Sequence, residues 1–352
     1  MEHSVPHGQT FLPRLASAVT PHTGGSVPVV LATVVGSYPR IGDTFEEQRL
    51  RRAIARHDED RISEKELHDA ERSVVREVLE EQTSAGIALP TDGQVTWYDS
   101  QSHFARHLDG VEVDGLVRYF DTNTYYRQPA VRGEIRWREP AVVDEWRYAS
   151  SVARVPVKAV LTGPYTLATL AKTEGKAKHE VVRGFAAAIA SEVRSLREAG
   201  ATHIQVDEPA ITRAPRDIDL LREGLETVAA ERGRAWLCLF TYFGDVAGIL
   251  GKLADLPIDN LGLDLAQGER NWKALSKAGS GVPLTLGVVD ARNTRRDDPK
   301  ALSARLLALK GKVPIEGSYV SPSNGLEYLP RAKAREKLGL VAETARLVEA
   351  GL

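Results

Sequence analysis

At 352 residues, with a formal net charge of −2 and 27% charged side chains, the chain has ordinary globular composition. It carries no basic excess that would point to nucleic acid or an anionic membrane surface. Its single cysteine, Cys238, excludes an internal disulfide framework and a cluster of thiolate metal ligands. No apolar run approaches the roughly 20 residues needed to cross a bilayer.

Residues 1–27 scatter His, Pro, Gly and Ser around one apolar patch, Phe11 to Val19, with no basic region before it. This segment reads as a disordered leader rather than a secretory signal, and the protein as cytoplasmic. From residue 30 onward, within a single domain expected at 28–352, one pattern recurs: a helix ending in Gly or Ala-Gly, a short apolar strand, then a polar cluster. Ser63 and Glu66 have capping-box spacing at the start of a helix whose stripe is Leu67, Val74 and Val78 and whose stop is Gly86. A second helix carries Val182, Phe185, Ile189, Val193 and Leu196 and ends at Gly200. Strands are expected at 31–36, 87–91, 157–162, 203–207, 235–241, 260–265, 283–289 and 314–320. Eight strand–helix units in about 320 residues favour a single α/β domain, a (β/α)8 TIM barrel. An open doubly wound sheet is less attractive, because no glycine-rich phosphate loop follows an early strand. Segment 95–156, rich in Trp, Tyr and Arg, reads as an insertion after the second strand that forms a hairpin and loops over the barrel mouth.

Barrel enzymes do their chemistry at the carboxyl ends of the strands. The most informative end is Ile204-Gln205-Val206-Asp207-Glu208-Pro209, an apolar strand running into two carboxylates. Buried acids are costly unless hydrogen-bonded or paired, and alternation lets only one of Asp207 and Glu208 point into a crevice. The bland alternative is a helix cap or surface pair. The other ends supply Ser37 to Arg40, Asp92-Gly93-Gln94 with Trp97-Tyr98-Asp99, Thr162, Cys238 with Tyr242, Asp264, Asp290 to Asn293 and Ser321 to Asn324. Carboxylates, amides, hydroxyls and a guanidinium on one rim suit a zwitterionic amino acid. Each has a plainer reading: Trp97 and Tyr98 as packing, Arg292 paired with Asp290, Asn324 as a turn, Cys238 as a small buried hydrophobe.

Together these segments resemble the cobalamin-independent methionine synthase family. Val34 to Gly42 resembles the family's barrel opening. Trp97-Tyr98-Asp99, Phe120 to Asn123 and Thr241 to Gly244 resemble its amino-terminal barrel, and Leu161 to Pro164 and Asp207-Glu208-Pro209 resemble both of its barrels. The resemblance runs from about residue 32 to 335, long enough for one barrel where the full enzyme has two. It implies methyl transfer from a methyltetrahydrofolate to homocysteine. In the family a zinc held by His, Cys, Glu and Cys activates the thiol. The matching positions here are Trp236, Cys238, Asp264 and Asn324, so the resemblance leaves only Cys238 and Asp264 as metal ligands.

The resemblance also implies Ser37 on the homocysteine carboxylate, Asp207 on its ammonium, Gln94 in place of a second acid, and Arg292 in place of a histidine acid. Glu208, Trp97 and Tyr98 complete the candidate substrate-binding set, with Asp207 and Arg292 the candidate catalytic pair. The folate-tail lysines have no match; Arg49, Arg51 and Arg52 are the nearest cations. Three functions stay open: a single-barrel methyltransferase, a non-catalytic folate- or amino-acid-binding barrel that partners a catalytic subunit, and a metal-free reaction such as decarboxylation in the same barrel. The expected partners are a small amino-acid substrate and possible second barrel subunit, with no nucleic acid and no membrane.

Overall fold

The computed structural model describes residues 30–314 and 316–352; the leader expected at 1–27 lies outside them. The chain begins with β1 (Val30–Ala32), α1 (Arg49–Asp58) and α2 (Glu64–Ser84). A short α3 (Ser102–Ala105) leads into β2 (Leu108–Arg118) and β3 (Tyr125–Trp137), followed by α4 (Val143–Val152). Strands and helices then alternate: β4 (Ala159–Thr162), α5 (Pro164–Leu170), α6 (Lys178–Glu198), β5 (His203–Asp207), α7 (Ile218–Ala229) and β6 (Trp236–Thr241). The series ends with α8 (Leu250–Ala254), β7 (Asn260–Asp264), α9 (Glu269–Ala278), β8 (Leu284–Val289), α10 (Pro299–Leu307), β9 (Ser318–Pro322) and α11 (Arg331–Ala350).

Seven strands form one parallel sheet in the order β1-β9-β8-β7-β6-β5-β4, as alternating strands and helices require. The segment expected as the second strand sits between the two outer members. Ala88 N donates to Ala32 O at 2.9 Å, and Lys158 N donates to Pro90 O at 2.9 Å. Pro90 has no N–H to give, which holds this segment to a single bridge between Thr33 and Leu89. β1 is also shorter than the expected 31–36. The carbonyls of Val34 and Val35 are taken by side chains, Lys158 Nζ at 2.7 Å and Gln205 Nε2 at 2.7 Å, rather than by a neighbouring strand. β9 begins later than expected, after Pro314 and after Gly317, whose φ of +79° makes a turn.

Alternation divides the side chains between two cores. Leu237 and Leu239 of β6 pack outward with Ile204 and Val206 of β5 against the helices. Trp236, Cys238 and Phe240 face the other way and join Tyr119, Tyr126, Tyr242 and Tyr319. The capping box of α2 is formed, with Glu66 N on Ser63 Oγ at 3.3 Å and Ser63 N on the Glu66 carboxylate at 2.8 Å. Within 95–156, β2 and β3 make an antiparallel hairpin. Buried Glu192 of α6 fastens the segment by accepting from Trp137 Nε1 at 2.8 Å and from Ala141 N and Val142 N, both at 2.9 Å. Among the described residues no helix is long and apolar enough to cross a membrane.

Candidate active site

A cavity of about 330 Å3 opens at the carboxyl ends of the strands. Asp207, the last residue of β5, forms part of its wall and is 7% exposed. Its Oδ1 accepts from Gln205 Nε2 at 2.7 Å and its Oδ2 from the Tyr242 hydroxyl at 3.5 Å. Burial pushes the Asp207 carboxyl up to about 7, opposed by the Gln205 hydrogen bond and the charge of Lys158. Tyr119 extends the cluster, its hydroxyl 3.4 Å from that of Tyr242.

Glu208 points the other way, as strand alternation requires. It lies outside the cavity lining and caps α5: its carboxylate accepts from Tyr165 N at 2.9 Å, Thr166 N at 2.7 Å and Thr166 Oγ1 at 2.6 Å. Burial raises it to about 7, against the pull of those donors. Gly163 is required here, because a Cβ at that position would fall on the Glu208 carboxylate. The expectation that Glu208 binds substrate is therefore corrected: it is the anion at a helix N-terminus.

Ser37 and Glu327 form the neighbouring wall, with the Ser37 hydroxyl donating to Glu327 Oε2. Glu327 is part-buried, and that burial raises its carboxyl. Gly325 between them leaves no room for a Cβ, which would meet both Ser37 Oγ and the Glu327 carboxylate. A hydroxyl has one hydrogen, and that of Ser37 is directed at Glu327. The cation on the cavity wall is Arg40, whose Nη1 donates to Val95 O at 2.9 Å and whose guanidinium lies 5.0 Å over the Tyr98 ring.

Gln94 lines the cavity with a φ of +52°, a left-handed turn stabilised by its N–H on Asp92 Oδ1 at 3.0 Å. Trp97 and Tyr98 follow on the same turn. Trp97 stacks on His103 with ring centres 4.6 Å apart, donates Nε1 to Glu145 at 2.9 Å and, though only 8% exposed, contributes to the cavity lining. Tyr98 is 51% exposed at the mouth.

Besides Glu208, three expected residues are not at this cavity. Arg292 lies outside its lining, donating to Asp121 at 3.3 Å and Gln267 at 3.1 Å, with its guanidinium 5.1 Å from the Phe243 ring. It ties the hairpin turn to the sheet end, not to Asp290 as a side-chain pair. Cys238 pairs in register with Asn260, four residues before Asp264. At about 3.3 Å per strand residue that sets Cys238 and Asp264 about 13 Å apart along the strand, too far to share an ion. Asp264 instead accepts from Phe243 N, Ala266 N and Gln267 N at 3.1, 3.1 and 2.8 Å. Burial pushes the Cys238 thiol up to about 12, so it rests as the neutral thiol. Among the described residues no three His, Cys, Asp or Glu side chains converge as a metal set. The residues present do not fit the zinc of the resemblance. Arg49, a candidate for a folate tail, is instead paired with Glu77.

Sequence reasoning missed Glu327, Gln205 and Lys158. Gln205 carried a signal: a polar residue two before Asp207 shares its face of the strand. Lys158 carried the same one, a lone cation leading the apolar run Ala159-Val160-Leu161.

A parallel α/β sheet with a carboxylate-walled cavity at its strand ends defines the class, an α/β enzyme with a site for a small polar molecule. Residues 102–314 match the family described as cobalamin-independent synthase, N-terminal domain. The chain is 32% identical over 327 residues to a methionine synthase of Saccharolobus solfataricus, covering 92% of this chain and 96% of that one. It is 32% identical over 325 residues to a methionine synthase of Sulfurisphaera tokodaii, covering 92% and 93%. The solved structure of a B12-independent methionine synthase from Shewanella sp. W3-18-1 with selenomethionine superposes with a TM-score of 0.77 at 20% identity, covering 92% of this chain and 98% of that one. A putative vitamin-B12 independent methionine synthase from Listeria monocytogenes gives 0.71 at 17% identity, covering 92% and 98%. The chain belongs to the cobalamin-independent methionine synthase family.

Proposed function

We propose that this protein is a methionine-synthase-like methyltransferase that moves a methyl group from a folate-type donor to a thiol such as homocysteine. The observation that carries the proposal is the cavity in a chain of this family: buried Asp207 on one wall and Arg40 on another, in a space sized for an amino acid. In this reading Asp207 and Glu327 take the substrate ammonium, Arg40 takes its carboxylate, and Gln94 accepts a further hydrogen bond. Trp97 in the cavity lining, with the exposed Tyr98 at the mouth, offers a platform for a pterin. The bonds of segment 87–91 to Ala32 on one side and to Lys158 on the other support the reading of a single-domain (β/α)8 barrel. A cytoplasmic location goes with this reading.

A second reading rests on a specific observation. The matching family description is that of an N-terminal domain, and no zinc set converges among the described residues. A barrel that binds a folate or amino acid and serves a separate catalytic subunit fits both facts. One experiment separates the two: equilibrium binding of homocysteine and methyltetrahydrofolate, followed by both together and analysis for methionine. Methionine formation supports the transferase. Binding of either ligand without turnover supports the binding module, and binding of neither removes both readings.

A further inference from the structure

Beneath the cavity lies a buried polar chain that the proposed reaction does not itself use. Lys158, buried immediately before β4, points inward on the same face as Val160 and Thr162. Its Nζ donates to Val34 O at 2.7 Å, to Gln205 Oε1 at 2.5 Å and to Thr33 Oγ1 at 3.4 Å, which uses all three ammonium hydrogens. Gln205 is equally saturated. Its oxygen faces Lys158, and its two amide hydrogens go to Val35 O at 2.7 Å and Asp207 Oδ1 at 2.7 Å.

The direction of this chain is fixed by chemistry. An ammonium only donates and a main-chain carbonyl only accepts, so the Gln205 amide has one orientation. In that orientation it presents N–H to Asp207 Oδ1, which accepts in either protonation state and accepts most strongly as the carboxylate.

We propose that Lys158 is a positioning residue of the site, acting through the Gln205 amide to hold Asp207 as a hydrogen-bond acceptor toward the cavity. The inference rests on the reading of Asp207 as the ammonium anchor. A cationic substrate group needs an acceptor there, and a protonated carboxyl in the same place would turn a donor toward it.

The electrostatics run the same way. Burial alone drives the Asp207 carboxyl upward, while the Gln205 hydrogen bond and the Lys158 charge pull it back to about 7. Lys158 is itself lowered by burial to about 8. The other groups facing the pair are accounted for. Glu327, across the cavity, raises Asp207. The Tyr242 hydroxyl lowers it, and Tyr119 stands behind Tyr242. The Cys238 thiol is neutral, and His203, held down to about 4, is uncharged at neutral pH. Removing a positive charge, or the donor it aligns, raises a carboxyl's pKa.

The test reads Asp207 directly and needs no ligand. Full-length protein labelled at the aspartate side-chain carboxyl is titrated by NMR, with Asp207→Asn assigning the signal. The wild-type midpoint falls near 7. In Lys158→Met and in Gln205→Leu it moves up by about one pH unit or more. The pH below which homocysteine binding is lost moves by the same amount. If Lys158→Met does not fold, Gln205→Leu decides. A folded variant that is less stable but titrates Asp207 at the wild-type midpoint overturns the proposal, because Lys158 is then core support alone. A shifted midpoint without homocysteine binding in any protein upholds the positioning and refutes the substrate assignment instead.

Discussion

Asp207→Asn is the sharpest perturbation of the site. The substitution preserves shape, and the Asn oxygen can still accept from Gln205 Nε2, now at 2.7 Å from Asp207 Oδ1. What changes is the second oxygen, the one reached by the Tyr242 hydroxyl, which becomes an uncharged amide donor facing the ligand. A hydrogen bond to a charged group is worth about 1.5–3 kcal/mol. At about 1.4 kcal/mol per tenfold, homocysteine affinity should fall about 10- to 150-fold. The assay is isothermal calorimetry at pH 8, above the Asp207 value of about 7, so that the wild-type carboxylate is ionised. A folded Asn variant that binds homocysteine within about twofold of wild type, far less than one charged hydrogen bond is worth, would refute Asp207 as the ammonium anchor.

The same variant makes a prediction about stability. Asp207 keeps its proton in the folded chain up to about 7 but releases it near 3.8 when unfolded. Its contribution to stability is therefore complete below pH 3.8 and is lost as pH rises toward 7, at up to about 1.4 kcal/mol per unit. Asp207→Asn should flatten the decline of urea-unfolding stability between pH 4 and 7; an unchanged slope would contradict the buried, raised carboxyl. Gly163→Ala should destabilise by about 1–3 kcal/mol, since the added methyl meets the Glu208 carboxylate that caps α5, and a neutral effect in urea melts would remove that close approach. Trp97→Ala should weaken methyltetrahydrofolate by about 1–3 kcal/mol if the ring stacks on the pterin, as aromatic rings do on bases, whereas unchanged affinity leaves it the partner of His103 and Glu145 alone. Cys238→Ser should leave the metal content of the purified protein unchanged by mass spectrometry, because Cys238 is a neutral thiol set about 13 Å from Asp264 along the strand; loss of one zinc per chain would restore Cys238 as a ligand.

What was legible in the chain was whatever a strand writes locally. The apolar run into Asp207 placed a carboxylate at a sheet end, and alternation alone said that Glu208 would face elsewhere. Its destination, the N-terminus of α5, depended on a contact 42 residues away. The segment 87–91 has the composition of a strand and the neighbours of one, yet Pro90 keeps it from a full ladder. Arg292 looked like a site residue because it follows β8. Its partner Asp121 lies 171 residues earlier on the hairpin turn, which no local pattern discloses. Cys238 and Asp264 were brought together by family position and separated by register. Glu327 follows an Asn-Gly turn and carries no periodic signal; only the folded chain sets it against Ser37, 290 residues away.

Methyl transfer itself is the most direct test. Wild-type protein and Asp207→Asn are incubated with homocysteine and methyl-labelled methyltetrahydrofolate, and labelled methionine is measured in a single turnover. The account predicts labelled methionine with the wild type and a loss with the Asn variant that parallels its loss of homocysteine binding. Wild-type protein that binds both ligands and forms no methionine would contradict it, and would make this chain a binding module for chemistry done elsewhere.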